Sequence, residues 1–238
     1  QISHELRTPM TSIRAFSEFL STPDLTEAER RKFADIIHDE AGRLTRLLDN
    51  LLDISVLESG EARLTVAVSN LHTLIERALT AASATRPERV FSIDRDPLAE
   101  YVPVITDADR LLQVLINVIA NARKYCDADR PTLKIRARPV EGGGAQIDIV
   151  DNGSGIDPGQ QTLIFEKFSR LNDPARAGGA GLGLAICREI MASLVGEISY
   201  LPGLGGGAFR ISLPARPPTG RGRIPAPEDI PDVDMTDG

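Results

Sequence analysis

The sequence predicts a helical hairpin followed by an α/β domain, that is, a fold class of α plus α/β. Apolar residues follow helical spacing over residues 1–58, and helix-like and strand-like runs alternate over residues 70–214. Residues 59–69 lie between the two patterns and are expected to form a linker. Residues 215–238 are rich in Pro, Gly, Asp and Arg with almost no apolar pattern, which predicts a disordered tail.

The first part of the chain predicts two helices joined by a short turn. Residues 1–20 carry apolar side chains at helical spacing, and residues 21–24 contain Pro and short polar residues that end a helix. Thr26 is then expected to be the N-cap of a second helix that reaches about Leu57. Apolar residues of this helix recur every seven positions, as in a coiled coil, at Ile37, Leu44 and Leu51 and again at Leu47 and Ile54. Because one hairpin has little core, we expect two copies of the chain to pair as a dimeric four-helix bundle.

From residue 70 onward the pattern predicts a mixed layer of helices and strands. Helices are expected over residues 70–84, 108–125 and 181–194. Strands are expected over residues 90–94, 102–106, 132–138, 146–150, 197–201 and 208–213. Strands that alternate with helices in this way are typical of an α/β sandwich.

Composition and charge exclude several classes of protein. The formal net charge of −7 argues against nucleic acid as a main partner, because a phosphate backbone requires a basic surface. No apolar run approaches the roughly 18 residues that a membrane span requires, and no signal peptide opens the chain. We therefore expect a cytoplasmic fragment whose only link to a membrane is an upstream part outside this chain. Cys126 and Cys187 have no metal-ligand spacing and are expected to be reduced, buried thiols.

The segment SHELRTP, residues 3–9, places a histidine beside a carboxylate. A histidine within reach of a general base can act as a nucleophile, which makes His4 and Glu5 candidate catalytic residues. Thr8 follows four residues after His4 on the same helical face, where its hydroxyl can orient water. Taken alone, an exposed histidine on a polar helix face is most often only solvated, so this motif needs support from others.

A polar stripe is expected on the helix over residues 108–125. Asn117, Asn121, Lys124 and Tyr125 lie on one side of this helix, and its other side is apolar. Amide oxygens can ligate Mg²⁺, and a lysine ammonium can contact phosphate as a point charge. This stripe is suited to binding a polyphosphate. A helix whose polar face is only solvated would show the same sequence pattern.

Two glycine-containing loops and a phenylalanine pair follow. Asp151 ends a strand and begins DNGSGI, residues 151–156, where glycine lets the backbone approach a ligand. The run GGAGLGL, residues 178–184, leads into a helix whose free N–H groups suit an anion. Its glycine spacing does not fit a dinucleotide-binding fingerprint. Between these loops lies FEKF, residues 165–168, whose paired phenylalanines are suited to hinge a lid over a nucleotide.

In chain order the motifs are HELRTP, NxxxNAxKY, DxGxGI, FEKF and GxGLGL. This ordered set resembles the sensor histidine kinases of bacterial two-component systems, and the resemblance covers residues 1 to about 214. It implies that residues 1–58 are a dimerisation and histidine-phosphotransfer hairpin. It also implies that residues 70–214 are an ATP-binding domain of the Bergerat or GHKL-like fold, the sandwich shared with gyrase-type and chaperone ATPases.

The resemblance implies a role for each matching residue. His4 is expected to be the phospho-acceptor and Glu5 the proton acceptor, while Thr8 matches the position linked to dephosphorylating the partner. The expected ATP-binding residues are Asn117, Asn121, Lys124, Tyr125, Asp151, Gly153, Gly155, Ile156, Phe168, Arg170, Gly179, Gly181, Leu182, Gly183 and Leu184. Of these, Asp151 matches the adenine-reading carboxylate and Asn121 the Mg²⁺ ligand, so the implied cofactors are ATP and Mg²⁺.

The implied function is that of a protein-histidine kinase that phosphorylates His4 and transfers the phosphoryl group to an Asp of a response-regulator receiver domain. Phosphatase activity is a further expectation, and the expected partners are a second copy of the chain and the receiver domain. An ATPase of the gyrase or chaperone kind is the first alternative, and His4-Glu5 followed by a hairpin disfavours it. A non-catalytic scaffold is the second, and the intact Asn121, Asp151 and glycine runs disfavour it. Whether His4 accepts phosphate within its own chain or from its dimer mate stays open.

Overall fold

The computed structural model of the chain describes residues 2–59, 63–84, 90–97, 99–169 and 181–215. Its α-helices are α1 (Ile2–Leu20), α2 (Glu27–Glu58), α3 (Leu71–Ala84), α4 (Ala108–Tyr125) and α5 (Gly183–Ser193). Its strands are β1 (Val66–Asn70), β2 (Ser92–Arg95), β3 (Pro103–Asp107), β4 (Thr132–Pro139), β5 (Ala145–Asp151), β6 (Glu197–Tyr200) and β7 (Ala208–Leu213). The segment predicted to be a disordered tail lies, apart from residue 215, outside the described residues.

Helices α1 and α2 form the predicted hairpin. Near the turn, the rings of Phe16, Phe19 and Phe33 pack together with centroids 5.6 to 6.0 Å apart. Thr26 is the N-cap of α2, as predicted: its hydroxyl accepts the N–H of Glu29 at 3.3 Å, and Glu29 Oε2 accepts the Thr26 N–H at 2.9 Å. This reciprocal capping box satisfies two N–H groups that the helix itself leaves unpaired, and it defines where α2 begins.

One row of apolar side chains on α2 is not covered by the rest of the described chain. Leu47 and Ile54 are buried, but Leu48, Leu52 and Val56 are 45%, 64% and 43% exposed. These three residues are spaced by four and therefore lie on one face of the helix. A second hairpin would cover this row. The four-helix bundle stays a prediction, and this row is the face through which the two copies are expected to pair.

The second part of the chain is a two-layer α/β sandwich, as predicted. Five strands form a sheet in the order β2-β4-β5-β7-β6, in which β2 and β4 are parallel and the other neighbours are antiparallel. Residues of β5 alternate between buried and half-buried, because helices α4 and α5 pack on one face of the sheet. On the other face Arg210 and Asp148 pair across β7 and β5, with Nε–Oδ1 and Nη2–Oδ2 distances of 2.7 and 2.8 Å.

The structure corrects the predicted linker over residues 59–69. Val66–Asn70 form β1, which pairs antiparallel with β3 in a separate two-stranded sheet. Just before this strand, the Thr65 N–H donates to the Asp107 carboxylate at 2.7 Å. Residues 66–69 therefore belong to the sandwich. The prediction was wrong here because the strand is short and its partner is distant in sequence, so only the tertiary pairing identifies it.

Polar contacts join the hairpin to the sandwich near the end of α2. Asp53 accepts hydrogen bonds from Arg110 Nη1 at 3.3 Å and from Gln113 Nε2 at 3.0 Å, both on α4. Lys167 Nζ lies 2.5 Å from Glu58 Oε1. All of these side chains are partly exposed, so each contact by itself contributes little stability. Together with the packing of α2 on α5, they set the orientation in which a cavity forms between hairpin and sandwich.

Replacing Thr26 by Ala is expected to lower the free energy of unfolding by about 1 kcal/mol, because the capping box loses its side-chain acceptor. The measurement is urea denaturation at one fixed protein concentration. Thr45→Ala is the matched control, since the Thr45 hydroxyl bonds only the Ala41 carbonyl inside α2, at 3.1 Å. Equal losses in the two variants would contradict the role of the cap.

Candidate active site

A cavity of about 700 Å³ opens between the hairpin and the sandwich. Its volume is within the usual range for ligand-binding pockets. The sandwich wall consists of the C-terminal half of α4, the loop after β5, the first turn of α5 and the residues just before β7. Predicted site residues that line the cavity are Glu5, Asn117, Asn121, Lys124, Tyr125, Asp151, Gly153, Gly155, Ile156, Gly181, Leu182, Gly183 and Leu184.

Helix α4 presents polar side chains to the cavity because its opposite face is held in the core. Leu115 and Val118 are fully buried, and Asn117 and Asn121, one turn apart, line the opening. Asp107 caps the helix, and its carboxylate accepts N–H groups of the first turn at 3.1 and 3.2 Å. The predicted polar stripe is therefore aimed at the cavity by the packing of the rest of the helix.

Lys124 and Tyr125 form the C-terminal end of this stripe. Lys124 Nζ donates to Tyr125 OH at 2.8 Å and lies 4.6 Å from the centroid of the tyrosine ring. The tyrosine thus holds the ammonium by a hydrogen bond to its hydroxyl and by a cation–π contact with its ring. This places a positive charge in the wall at the end of α4.

Asp151 is a buried carboxylate at the end of β5, only 8% exposed. Its Oδ1 accepts the N–H groups of Gly153 at 2.8 Å and Gly207 at 3.1 Å. Its Oδ2 accepts no hydrogen bond from any residue that the structure describes. Burial raises the pKa of Asp151 above that of an ordinary aspartate, and the two N–H donors offset part of this rise. The second oxygen is consequently an acceptor available to a ligand in the cavity.

Glycine at positions 153 and 207 leaves room for the Asp151 carboxylate. A Cβ on residue 207 would collide with Asp151 Oδ2, and a Cβ on residue 153 would lie 2.9 Å from Asp151 Oδ1. The Asp151 N–H also donates to the Gly207 carbonyl at 2.9 Å. Gly207 is not among the predicted site residues, although three consecutive glycines before the last strand are a signal of close backbone approach.

Tyr200 on β6 is a second residue that sequence reasoning missed. Its OH accepts the Ile156 N–H at 3.1 Å and donates to the Gly206 carbonyl at 3.3 Å. The tyrosine thereby joins the loop after β5 to the turn before β7, on either side of Asp151. No pattern in the sequence distinguishes it from an ordinary strand tyrosine.

The second glycine run is described only from Gly181 onward. Gly181 has a φ of +67°, and its carbonyl accepts the Phe168 N–H at 2.9 Å. Leu182 is buried, and α5 begins at Gly183 beside the Asn117 side chain. The first-turn N–H groups of α5 therefore border the cavity, as an anion-binding helix N-terminus requires.

One predicted nucleotide contact, Phe168, is described and does not line the cavity. Phe168, with a φ of +63°, packs against the hydrophobic core, and the neighbouring Ser169 lines the cavity instead. Phe168 thus supports the residues around Gly181 rather than the cavity wall itself. Arg170 and Gly179 lie outside the described residues.

Both cysteines are buried, as predicted. Complete burial raises the pKa of the Cys187 thiol to about 12. A thiol with such a pKa stays protonated at neutral pH, so Cys187 is a packing residue and not a nucleophile.

On the hairpin side, Glu5 lines the cavity, whereas the exposed His4 lines a shallow groove on α1. Neighbouring residues of an α-helix point about 100° apart, which explains why the two side chains face different openings. In the groove the Thr8 hydroxyl donates to the His4 carbonyl at 3.3 Å, so the two residues share a helical face as predicted. Arg43 and Arg46 of α2 also line the cavity, and the sequence reasoning missed them.

The donor set fits a magnesium ion that binds together with phosphate. Among the residues described, no group of three or more His, Cys, Asp or Glu side chains could hold a metal by itself. Asn117 and Asn121 offer neutral amide oxygens to the cavity. Mg²⁺ typically takes only one or two protein oxygens and completes its shell with phosphate oxygens and water. These two residues would therefore hold the ion only together with an anionic ligand.

Two protein families match the chain. Residues 1–60 match the His Kinase A (phospho-acceptor) domain. Residues 106–217 match the histidine kinase-, DNA gyrase B-, and HSP90-like ATPase family. The first match covers the hairpin with its exposed histidine, and the second covers most of the sandwich, including α4, Asp151 and α5.

Curated relatives include Drug sensory protein A of Synechocystis sp. (strain ATCC 27184 / PCC 6803 / Kazusa), 35% identical over 220 residues. The Sensor protein KdpD of Escherichia coli (strain K12) is 35% identical over 215 residues. The Sensor histidine kinase MtrB of Mycobacterium tuberculosis (strain ATCC 25618 / H37Rv) is 35% identical over 219 residues. These alignments cover 87%, 90% and 90% of this chain but only 33%, 24% and 38% of the relatives. The chain thus spans well under half of the length of the curated relatives it matches.

Solved structures give the same result. The histidine kinase AdeS of Acinetobacter baumannii superposes with a TM-score of 0.69 at 26% identity, over 90% of this chain and 98% of that one. Histidine kinase ThkA, in complex with response regulator protein TrrA, superposes with a TM-score of 0.69 at 25% identity, over 91% of this chain and 60% of that one. The chain therefore belongs to the bacterial sensor histidine kinases and corresponds to their catalytic core.

None of the helices in the described part of the chain combines the length and the apolarity that a membrane span needs.

Asp151→Asn is expected to weaken ATP binding by about tenfold or more and to leave the fold intact. The asparagine carbonyl oxygen can still accept the two N–H bonds, but its NH₂ group replaces the acceptor that faces the ligand. Asp151→Ala should in addition lose roughly 1–3 kcal/mol of stability, because the Gly153 and Gly207 N–H groups lose their acceptor. Calorimetric titration with Mg-ATP and urea unfolding measure the two effects. An unchanged ATP affinity in Asp151→Asn would remove this carboxylate from the binding site.

Proposed function

We propose that the chain binds Mg-ATP in the cavity, phosphorylates its own His4, and passes the phosphoryl group to an Asp of a response-regulator receiver domain. One observation carries this proposal: Glu5, the residue next to His4, lines the same cavity as Asn121 and Asp151. The candidate proton acceptor and the candidate nucleotide ligands thus share one enclosed space. Membership in the histidine kinase family supports the same assignment.

The polar groups of the cavity suit the two ends of ATP. Asp151 Oδ2 is placed to accept the exocyclic amine of adenine, since its partner oxygen is already occupied by backbone N–H donors. The stripe of α4 and the first turn of α5 suit the phosphates. When bound, Mg²⁺ neutralises phosphate charge and aligns the terminal phosphates, and Asn121 with Asn117 would hold it.

In the transfer step one ring nitrogen of His4 attacks the γ-phosphorus of ATP. The bond between that phosphorus and the bridging oxygen breaks, and ADP leaves. The proton on the other ring nitrogen passes to Glu5, which keeps the phosphorylated imidazole neutral. The receiver carboxylate then attacks the same phosphorus, the N–P bond breaks, and the proton returns to the imidazole from Glu5. Such a transfer depends chiefly on positioning and charge neutralisation.

His4 and Glu5 face different openings, so transfer requires the hairpin to move relative to the sandwich. The contacts of Asp53 with Arg110 and Gln113 and the packing of α2 on α5 hold the present orientation. The polar contacts are partly exposed and weak, so the movement mainly has to replace the apolar contact of α2 with the sandwich. A hinge is expected near residues 59–62, of which residues 60–62 lie outside the described residues.

Partners follow from the exposed faces of the hairpin. The uncovered row Leu48, Leu52 and Val56 supports a homodimer. The groove around His4 and Thr8 supports docking of the receiver domain. ThkA, whose solved complex contains a response regulator, is similar to this chain over both the hairpin and the sandwich, which supports the same kind of partner.

Incubation with Mg²⁺ and γ-labelled ATP should give an acid-labile, alkali-stable label in the wild-type chain and none in His4→Gln. His38→Gln, at an exposed position of α2, is the matched control and should label normally. Phosphate release by His4→Gln without any phosphoenzyme in the wild type would instead indicate an ATPase of the gyrase or chaperone kind. Failure of Mg-ATP to raise the melting temperature would indicate a non-catalytic scaffold.

Thr8→Ala is expected to keep autophosphorylation within about twofold and to slow dephosphorylation of the phosphorylated receiver by about tenfold or more, since the hydroxyl that orients water is lost. Thr80→Ala is the control and should affect neither rate, because it removes an exposed hydroxyl on α3 that bonds the carbonyl four residues earlier, as Thr8 does on α1. The two rates are measured separately, with labelled ATP and with purified phosphorylated receiver. An equal loss of both activities would refute the separate role of Thr8.

A further inference from the structure

Two arginines of α2 face the cavity from the hairpin side. Arg43, Arg46, Leu47 and Asn50 have the spacing of one helical face, and all four line the cavity. Glu5 of α1 lines the same wall. Positive charge and the proposed proton acceptor therefore both lie on the hairpin side of the cavity, whose sandwich wall contains Asp151.

Both guanidinium groups have donors left for an anion. No hydrogen bond or ion pair joins the exposed Arg46 side chain to any residue within the described ranges. Arg43 Nη1 lies 3.7 Å from Glu40 Oε2, an ion pair too long to be a hydrogen bond, and that carboxylate oxygen is buried without a hydrogen-bond donor. Arg46 is thus the freer of the two, and Arg43 keeps donors that Glu40 does not engage.

The sandwich wall has little accessible positive charge for a triphosphate. The basic residues in its described lining are Arg123 and Lys124. Arg123 is 7% exposed, and its guanidinium lies 5.2 Å from the ring centroid of Phe91. Lys124 already donates to Tyr125 OH. Among the described residues, the arginines of α2 are therefore the main additional cations that the phosphates of a bound nucleotide can meet.

We infer that Arg46, assisted by Arg43, binds the terminal phosphate of ATP while the hairpin is docked as in this structure. This inference rests on the proposed function, because it takes ATP to be the occupant of the cavity. A planar guanidinium suits bidentate contact with a phosphate group. With adenine at Asp151 and the γ-phosphate at Arg46, the nucleotide spans the cavity from sandwich to hairpin and its reacting phosphorus lies beside Glu5.

The contact makes docking depend on the state of the nucleotide. ADP lacks the γ-phosphate and leaves Arg46 without its ligand. Binding and docking are thermodynamically linked. If the docked chain binds ATP more tightly than ADP, then ATP stabilises the docked arrangement more than ADP does. Loss of the γ-phosphate to His4 would then weaken the hold of the sandwich on the hairpin.

The test compares the affinities of arginine variants for two nucleotides. Each variant of the full chain is titrated calorimetrically with the β,γ-imido analogue of ATP and with ADP, both with Mg²⁺. Arg46→Gln should weaken binding of the analogue by about tenfold and binding of ADP by less than about twofold. Arg46→Lys should lie between wild type and Arg46→Gln, since it keeps the charge but not the planar fork. Arg30→Gln, at an exposed position in the first turn of α2, is the control and should change neither affinity.

The alternatives predict different results. If Arg46 only covers apolar surface, its substitution should weaken the binding of both nucleotides equally. If Arg46 is only solvated, its substitution should weaken the binding of neither. Either result overturns the inference. If wild type binds both nucleotides and labels His4 but Arg46→Gln keeps the wild-type ratio of affinities, the inference about Arg46 fails alone. If wild type binds neither nucleotide, both the proposed function and the inference about Arg46 fail. Melting temperatures without nucleotide verify that each variant is folded.

Discussion

Helix α4 is packed on one side so completely that it cannot turn about its axis. Residues such as Leu111 and Val114 are fully buried against the neighbouring helices and the sheet. Exposing any such side chain costs about 1.5–3 kcal/mol, so a rotation that moved several of them would unfold the domain. The polar side of α4 must therefore face the cavity. Its first two turns meet Asp53 of α2, so the same helix also orients the hairpin.

The cavity is electrostatically asymmetric. At the sandwich side, Asp151 is held by two backbone donors with one oxygen left open. At the hairpin side, Arg43 and Arg46 bring positive charge to the cavity that Glu5 also lines. An open acceptor in a nearly buried site costs free energy that a ligand donor recovers. A ligand with an amine at one end and anionic groups at the other matches this arrangement, which is the polarity of ATP.

The hairpin and the sandwich are joined by two kinds of contact. Leu47, Ile54 and Leu57 of α2 belong to the same buried apolar core as the sandwich, and α2 packs on α5. The contacts of Asp53 and Glu58 are instead partly exposed and electrostatic, and such pairs can exchange with water at small cost. The reorientation that the proposed phosphorylation of His4 requires therefore has its main cost in the apolar contact.

The sequence by itself determined the hairpin, the N-cap of its second helix, the amphipathic α4, the carboxylate-glycine loop and the family, because periodicity, caps and motifs are encoded by residues close together in the chain. The short strand β1 could not be predicted, since it exists only through its pairing with β3. Gly207, Tyr200 and Arg46 reach the site from distant segments, and Phe168, predicted to contact the nucleotide, packs against the core. Those positions were decided by tertiary packing alone, because which side chains share a cavity depends on how separate elements are oriented and not on any local pattern.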